Sequence, residues 1–387
     1  MLIRYTTGKN GKPVPLAKVY TAEEHGIDTS LIDYDAVRIA RRLRRHGFQA
    51  YVVGGAVRDL LVGRVPKDFD MATDASPGQI RKLFRNSRTI GKRFRLVHIF
   101  FHDRKIIEVT TFRSLEDTGF NAVYGTIEED AARRDFTLNS LYYDTEQNQV
   151  LDYTGGYEDI RARIVRPVIP LPRLFTEDPV RMIRAVKYQV RTGFRLTFRL
   201  RRRLQRSVGL LADTPPSRMS EEVFKIMMSG NSAGIVRSCY DFRMLQYMVP
   251  HLAAALRSDS DFATRFFRSL GTLDAHVLEH PADSRAVALA YFCAEFFYTR
   301  SEAGQQRRIS TGDAYTELKQ FLKPVTPPNR EVEMAVQLLV RRRKAYHAAG
   351  EFSVPGNPEL VEERKSRPRR RRRRSGRNQS STAKKSE

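Results

Sequence analysis

The triplet Asp68-Phe69-Asp70 places two carboxylates around one apolar residue. On a β-strand, side chains two residues apart point to the same face, so both carboxylates face outward while Phe69 faces the core. Neighbouring carboxylates repel each other unless a cation lies between them, which implies a hard divalent ion such as Mg²⁺. Two such ions about 3.5–4 Å apart can activate an attacking oxygen and stabilise a leaving one. The alternative is an exposed strand end without chemistry.

A third carboxylate would favour the metal site over that alternative. Glu108 lies between Ile107 and Val109 in an apolar stretch, where a charge is costly to bury without a partner. We therefore expect Glu108 on a strand next to the two aspartates, as a further metal ligand.

The glycine pair Gly54-Gly55 indicates a close approach between backbone and ligand. Backbone N–H groups are accessible at such a turn, and a helix beginning near Ala56 directs its positive end toward the same point. Arg58, one turn into that helix, can reach a phosphate. The stretch is not a Walker loop, since no Gly-Lys-Ser/Thr sequence follows it. On its own, a glycine pair before a helix is a weak signal for phosphate binding.

Residues 133–140, RRDFTLNS, bring two arginines, Asp135 and Asn139 into one short segment. Guanidinium, carboxylate and amide groups together can hold a triphosphate, a metal-linked water and a ribose hydroxyl. The segment therefore suits the polar part of a nucleotide.

Residues 176–188, TEDPVRMIRAVKY, are predicted to open a helix with Thr176 as its N-cap and Pro179 in its first turn. Asp178 and Arg181 are three residues apart and would share one face of that helix. An accepting carboxylate beside a donating guanidinium can read the Watson–Crick edge of a base. The alternative is an ordinary capped helix with a surface ion pair.

The surrounding elements indicate a mixed α/β region followed by helices. Periodicity and capping predict a helix over 33–47, a strand at AYVV (50–53), a helix with Ser76 as N-cap and Gln79 completing a capping box, and the strands LVHIFF (96–101) and KIIEVTTF (105–112) around a turn. The α/β pattern ends near residue 165, and from Thr176 onward nearly every segment reads as helix.

The chain is strongly basic, with 68 Lys and Arg against 44 Asp and Glu and a net charge of +24. Twelve of the cations lie in residues 364–387, a segment too polar to form a core. The remainder is basic as well, which favours a polyanionic partner such as nucleic acid. With no apolar run of membrane-spanning length, no signal-peptide core and two cysteines, the sequence predicts a cytoplasmic protein without membrane association.

Four of these segments, in this order, resemble one family. VVGGAVRDLLVG, KDFD, EEDAARRDFTLNSLYY and EDPVRMIRAVKY are similar to motifs of the class II nucleotidyltransferases, which comprise bacterial poly(A) polymerases and CCA-adding tRNA nucleotidyltransferases. The resemblance covers roughly residues 50–250. It implies an α/β N-terminal palm of the DNA polymerase β-like nucleotidyltransferase type, followed by an all-α neck, body and tail and a disordered basic C-terminus.

The domains that follow from this resemblance are an N-terminal segment (1–30), a nucleotidyltransferase palm (31–165), a helical neck with the nucleotide-selecting motif (166–230), a helical RNA-binding body (231–348) and a disordered Arg-rich tail (349–387).

Carried over position by position, the resemblance also implies roles for individual residues. The catalytic residues would be Asp68, Asp70 and Asp135, with Glu108 as the other candidate for the third carboxylate, and the metal ligands Asp68, Asp70 and Glu108. The triphosphate, ribose and base would be bound by Gly54, Gly55, Arg58, Arg134, Asn139, Asp178, Arg181, Arg184 and Lys187. Lys187 stands where CCA-adding members often have Arg, which weakens any bidentate contact there.

The activity implied is template-independent adenylation of RNA 3′ ends, with ATP as substrate, two Mg²⁺ ions and release of pyrophosphate. The stretch RKLFRNSRTIGKRFRLVHIFF resembles the poly(A) polymerase version of this segment, and a basic tail suits such an enzyme. The short stretch between TFRS and GTIEED points the other way, because many poly(A) polymerases carry a longer insertion there.

Two alternatives remain. One is a CCA-adding or A-adding tRNA nucleotidyltransferase, which would also act on an RNA 3′ end. The other is an RNA-binding protein with a decayed polymerase fold, which predicts loss of the catalytic residues. Asp68, Asp70 and Arg58 are all present, and this argues for an enzyme.

Overall fold

The computed structural model describes residues 1–7, 10–91, 96–102, 105–115, 123–281, 283–303 and 310–355. Most of the tail predicted for 349–387 lies outside the described residues, as does part of the turn predicted between the two strands near residue 103. No helix within these ranges combines the length and the hydropathy needed to cross a bilayer.

A mixed nine-stranded sheet occupies the first part of the chain. Its strands are β1 (Leu2–Thr7), β2 (Pro13–Tyr20), β3 (Ala50–Val53), β4 (Asp70–Thr73), β5 (Ser87–Ile90), β6 (Leu96–Phe100), β7 (Ile106–Thr111), β8 (Leu141–Asp144) and β9 (Gln149–Asp152). They lie in the order β1-β2-β9-β8-β3-β4-β7-β6-β5. β4 and β7 run parallel, and the other neighbouring strands run antiparallel. Segment 1–30 therefore contributes the edge strand β1 and its neighbour β2 to the sheet.

Short helices connect and cover these strands: α1 (Ala22–His25), α2 (Tyr34–Arg45), α3 (Gly55–Leu61), α4 (Pro77–Leu83), α5 (Ile127–Ala132) and α6 (Gly156–Arg161). α2 confirms the predicted amphipathic helix, since its buried residues follow helical spacing at Ala36, Ile39, Ala40 and Leu43. The capping box at α4 is also confirmed, because the Ser76 hydroxyl accepts from Gln79 N and the Gln79 amide oxygen accepts from Ser76 N.

Alternate residues of the central strand β3 are buried on opposite faces of the sheet. Ala50 and Val52 belong to the main core, which continues into the helical region, whereas Tyr51 and Val53 belong to a smaller core on the other face. Burial on both faces fixes the register of this strand and of its neighbours.

The register brings three strand ends together. Val53, the last residue of β3, is paired with Asp70, the first residue of β4. On the other side of β4, Met71 is paired with Val109 of β7, which places Glu108 beside Asp70. The turn after β3 and the carboxylates of β4 and β7 thus meet at one edge of the sheet.

The rest of the described chain is helical, as predicted. Its helices are α7 (Leu171–Glu177), α8 (Arg181–Thr192), α9 (Phe198–Ser207), α10 (Pro216–Met227), α11 (Ser232–Asp241), α12 (Leu245–Met248), α13 (Pro250–Ser258), α14 (Ser260–Glu279), α15 (Arg285–Ala303), α16 (Thr311–Leu322) and α17 (Asn329–Ala349). Two short parallel strands, β10 (Ile164–Val165) and β11 (Arg195–Leu196), lie before and after α7 and α8. This small pair ties the first helices of the region to the end of the sheet domain.

Candidate active site

A cleft of about 710 Å³ opens where the strand ends face α8 and α10. Every residue assigned to the site from the sequence lines this cleft: Gly54, Gly55, Arg58, Asp68, Asp70, Glu108, Arg134, Asp135, Asn139, Asp178, Arg181, Arg184 and Lys187. Segments far apart in the sequence therefore converge on one cavity.

The aspartate pair lies at the entrance of β4. Asp68 and Asp70 are exposed to the cleft while Phe69 between them is buried, which is the alternation predicted from the sequence. The strand itself begins only at Asp70, so Asp68 belongs to the preceding loop. Glu108 on β7 is half-buried, and its Oε1 lies 3.0 Å from Nε2 of His98 on β6.

Negative charge accumulates around Asp70. Burial within the cleft, reinforced by the charges of Glu108 and Asp68, raises the pKa of Asp70 to about 6, although Arg134 and Lys225 act in the opposite direction. An ordinary Asp carboxyl titrates near pH 4, so this group holds its proton unusually tightly. A bound cation would relieve this repulsion and favour the ionised carboxylate.

The oxygens of this carboxylate group suit a hard divalent cation. Within the described ranges, no three His, Cys, Asp or Glu side chains come close enough to form a complete metal site by themselves. Mg²⁺ typically binds one or two protein carboxylates and completes its shell with water and substrate phosphates. An incomplete set of protein oxygens at the edge of an open cleft matches that requirement.

The glycine turn and Arg58 lie beside the carboxylates, at the same edge of the sheet. Gly54 has a φ of 72°, a left-handed conformation that favours glycine, and it caps the N-terminus of α3. A Cβ atom at Gly54 would lie 3.6 Å from Nη1 of Arg134, an ordinary van der Waals contact, so the positive φ and not a lack of space favours glycine here. Arg58 is buried, donates from Nη1 to Oδ1 of Asn139 over 2.8 Å and pairs with Asp59.

Arg134 is fixed by several acceptors. Its Nη2 lies 2.9 Å from Oδ2 of Asp130, its Nε donates to the Tyr142 hydroxyl, and its Nη1 donates to the carbonyl of Asn139. Burial would lower the pKa of Arg134, but Tyr142 and Asp130 outweigh it and raise the value above its usual range. The guanidinium is therefore a permanent, pre-positioned charge at the cleft.

Asp135 is occupied by protein donors. Its Oδ2 accepts from Nε of Arg184 at 2.5 Å, and its Oδ1 accepts from the backbone N–H of Phe136 at 2.9 Å. Asp135 is buried, whereas Glu108 keeps about half of its side-chain surface exposed. Of the two candidates for a third carboxylate, Glu108 is the one that lies beside Asp70.

The prediction that a helix starts at Thr176 is wrong. Thr176 lies inside α7, where its hydroxyl donates to the carbonyls of Pro172 and Arg173 rather than capping a new helix. Asp178 has an extended backbone between the helices, and α8 begins at Arg181. A hydroxyl that bonds backward within a helix resembles an N-cap in sequence, which explains the error.

Asp178 and Arg181 both line the cleft but bind different partners. Oδ2 of Asp178 accepts from Nη2 of Arg218 at 2.6 Å, while Nη1 of Arg181 donates to the Leu174 carbonyl at 3.0 Å and to Glu177 at 3.1 Å. Their spacing suggested a direct ion pair between Asp178 and Arg181, but each side chain is instead held by its own partners.

Lys187 is buried and paired with Glu222 on α10, with 2.7 Å between Nζ and Oε2. Burial and the neighbouring cations lower the pKa of Lys187, against the attraction of Glu222. Lys187, which stands where CCA-adding members often have Arg, thus has a carboxylate partner in Glu222.

α10 contributes residues that sequence reasoning missed. Arg218, Glu222 and Lys225 line the cleft together with Glu221. The first three follow the i, i+4, i+7 spacing of one helix face, which is the signal that could have revealed them. Without a known partner surface, such a charged stripe looks like a solvated face.

Comparison with known proteins identifies the family. Residues 50–166 match the model of the "Poly A polymerase head domain", and residues 193–256 match a model described as "Probable RNA and SrmB- binding site of polymerase A". Poly(A) polymerase I of Salmonella typhi is 35% identical over 322 residues, which cover 78% of this chain and 68% of the relative. The chain belongs to the poly(A) polymerase family. It is a nucleotidyltransferase with the α/β palm and helical regions expected of this family.

CCA-adding enzymes are related to this chain as well. The enzyme of Geobacillus kaustophilus is 35% identical over 228 residues, covering 57% of this chain and 56% of that enzyme. The crystal structure of the Bacillus stearothermophilus CCA-adding enzyme with CTP aligns with a TM-score of 0.54 at 24% identity, over 83% of this chain and 88% of that one. The structural match supports the fold. Poly(A) polymerases and CCA-adding enzymes form a nucleotidyltransferase family that normally uses divalent metals.

Proposed function

We propose that this member of the poly(A) polymerase family adenylates RNA 3′ ends without a template. The 3′-hydroxyl of the RNA attacks the α-phosphorus of ATP, a new phosphodiester bond forms, and the bond to the β-phosphate oxygen breaks. AMP is added to the RNA, pyrophosphate leaves, and the hydroxyl proton passes to solvent or to a cleft base. Repetition of this step with ATP alone would extend a poly(A) tail.

The choice between poly(A) addition and CCA addition depends on how much of this chain each group of relatives covers. The poly(A) polymerase relative aligns over 78% of this chain, whereas the CCA-adding relative aligns over 57% at the same identity. Adenylation of RNA is therefore favoured over addition of CCA to tRNA.

Asp68, Asp70 and Glu108 would hold two Mg²⁺ ions, completed by water and phosphate oxygens. When bound, such ions supply Lewis-acid stabilisation to the attacking and leaving oxygens. The raised pKa of Asp70 supports this assignment because burial, reinforced by the charges of Glu108 and Asp68, disfavours the bare carboxylate, which a bound cation would stabilise.

The triphosphate would lie between the glycine turn and the fixed guanidinium groups. Arg58 and Arg134 are buried or half-buried and held by Asp59, Asn139 and Asp130, so their charges need no rearrangement when a polyanion arrives. Preorganised charges of this kind stabilise the developing negative charge of a transition state more effectively than mobile ones.

Asp178 and Arg181 would select the base. Each is anchored by another side chain, so each presents its remaining hydrogen-bonding capacity from a fixed position at the cleft. Arg184 and Lys187, one and two turns further along α8, would support them through Asp135 and Glu222. A site with fixed polar groups rejects a base that leaves them unpaired.

RNA would reach the cleft along α9. This helix carries the exposed arginines Arg199, Arg201, Arg202 and Arg206, and it lies within the segment that matches the RNA-binding model. A row of cations on one helix offers phosphate contacts that do not depend on sequence.

Incubation of the protein and Mg²⁺ with a short RNA and each nucleoside triphosphate in turn tests the proposal. A long ladder with ATP alone is the expected result. Addition of three nucleotides that requires CTP would instead assign the chain to the CCA-adding branch. RNA binding without extension by any nucleotide would contradict both and indicate a non-catalytic protein.

A further inference from the structure

We infer that Lys225, on α10, binds a phosphate group of the incoming nucleoside triphosphate opposite the palm carboxylates. The inference deepens the proposed function and depends on it for the identity of the ligand. Lys225 lies far beyond the palm in sequence, yet it lines the same cleft as Asp68, Asp70 and Glu108. A helix of the second region thus places a cation in the cleft that the palm carboxylates also line.

The lining of the cleft supports this position. Lys225 lines the same cavity as the glycine turn, Arg58 and Arg134, the groups expected to hold the triphosphate. A triphosphate that binds at the carboxylates would therefore enter the cavity that Lys225 lines.

Lys225 is tethered but not fixed. Its Nζ lies 2.6 Å from Oε1 of Glu221 and 3.4 Å from Oε1 of Glu222. The side chains of Lys225 and Glu221 are 46% and 58% exposed, and ion pairs of that kind contribute little free energy. The ammonium can therefore exchange a carboxylate for a phosphate oxygen at small cost.

Lys187 provides the contrast within the same network. Its pair with Glu222 is buried on both sides, at 7% and 5% exposure, and breaking it would leave two uncompensated charges. Burial would raise the pKa of Glu222, but Lys187, Lys225 and Arg184 hold it below its usual range, so Glu222 remains an anion. Glu222 is therefore held in place by its buried pair with Lys187. Lys225, in contrast, can leave its carboxylate partners and bind another anion.

A phosphate is the ligand that suits the Lys225 ammonium. An ammonium offers three donors around a compact charge and binds single phosphate oxygens well, whereas planar bidentate recognition needs a guanidinium. The guanidinium groups of Arg58 and Arg134 already stand at the glycine turn. Lys225 would add a point charge from the opposite wall, so that the triphosphate is held from both sides.

Isothermal titration calorimetry of ATP binding to the full chain, in the presence of Mg²⁺, tests the inference. Lys225→Met should raise the dissociation constant about 10-fold or more, as expected for loss of one charge-assisted contact. Lys225→Arg should recover most of the affinity. Lys82→Met is the matched control, because Lys82 is exposed on α4 outside the cleft and its loss should change nothing. If Lys225→Met unfolds the protein, Lys225→Gln, which is one atom shorter but keeps a polar end, allows the same measurement.

An unchanged ATP affinity in Lys225→Met or Lys225→Gln would overturn the inference. So would weaker binding of a short RNA with unchanged ATP affinity, since this assigns Lys225 to an RNA phosphate. The measurement also separates the two proposals. Wild-type protein that adenylates RNA but binds ATP independently of Lys225 refutes the inference alone, whereas ATP affinity that depends on Lys225 without any transfer to RNA refutes the proposed function alone.

Discussion

Arg184 and Asp135 form an ion pair whose Nε–Oδ2 distance is 2.5 Å, and the second oxygen of Asp135 accepts from the backbone N–H of Phe136. Both oxygens of this aspartate are therefore satisfied by the protein. An oxygen that already accepts a charge-assisted hydrogen bond is a poor metal ligand unless the bond is broken. Asp135 is better suited to hold Arg184 on α8 than to hold a metal, and we propose Glu108 as the third carboxylate.

Substitution of these two residues should give different kinetic results. Glu108→Gln should lower kcat at least 10-fold and raise the Mg²⁺ concentration needed for half-maximal activity, because a metal ligand is lost. Asp135→Asn should leave that Mg²⁺ concentration unchanged while raising KM for ATP and lowering stability by about 1–2 kcal/mol, because Arg184 loses its counter-charge. A Mg²⁺ dependence that shifts with Asp135→Asn and not with Glu108→Gln would reverse the assignment.

Asp70→Asn should abolish nucleotide transfer while RNA affinity is nearly retained. The substitution removes one charge from the carboxylate group at the β4 entrance but preserves shape, so several kcal/mol of transition-state stabilisation should be lost. Primer extension and a filter-binding assay with the same RNA measure the two quantities. Transfer at the wild-type rate in Mg²⁺ would remove Asp70 from the active site.

The same variant should be more stable than wild type at neutral pH without metal. The folded-state pKa of Asp70 is about 6, whereas the unfolded value is near 4. Ionisation of this group therefore lowers the free energy of unfolding progressively between about pH 4 and pH 6, and the full loss persists above pH 6. The shift corresponds to about 3 kcal/mol at full desolvation. Since Asp70 is open to the cleft, solvent screening reduces the expected gain to about 1 kcal/mol.

Thermal unfolding at two pH values measures this effect. In EDTA, Asp70→Asn should raise Tm by about 1–3 °C at pH 7.5 and by less at pH 4.5. Added Mg²⁺ should raise Tm of the wild type more than that of the variant. Glu333→Gln, which removes an exposed carboxylate of α17 outside the cleft, serves as the control. An equal gain for both variants would mean that net charge, and not the local repulsion, sets the stability.

Local signals in the sequence were sufficient for much of the palm. The glycine pair, the alternation around Phe69 and the capping box at Ser76 each depend on neighbouring residues, and the structure agrees with all three. The site from Thr176 onward was harder because its side chains are positioned by α10. Arg218 anchors Asp178 across 40 positions of sequence, and no periodicity within one helix reports such a partner.

The first two strands illustrate the same limit. β1 and β2 carry many exposed residues, so their pattern in the sequence resembles a surface segment. Pairing of β2 with β9 places them in the sheet, and this pairing joins residues 130 to 134 positions apart. Long-range pairing of polar strands leaves little trace in local hydrophobicity.

Residues 364–387 should increase RNA affinity without changing the chemical step. This segment lies outside the described residues, and the prediction depends only on its twelve cations and single Glu. Deletion should raise KM for RNA and reduce the salt dependence of binding, while kcat at saturating RNA stays close to wild type, because phosphate contacts release counterions without touching the active site. Equal KM and salt slope for the two proteins would indicate that the segment serves another purpose.

Arg181→Ala should weaken the choice of base as well as the rate. Arg181 is held at the cleft by Glu177 and the Leu174 carbonyl, so its remaining donors are fixed where a base edge can meet them. Their loss should reduce the preference for ATP over CTP, measured as the ratio of kcat/KM values, about 10-fold or more. Arg173→Ala is the control, because Arg173 also pairs with Glu177 but is 71% exposed and lies outside the cleft. Slower turnover with an unchanged ratio would make Arg181 a structural anchor of α8 instead.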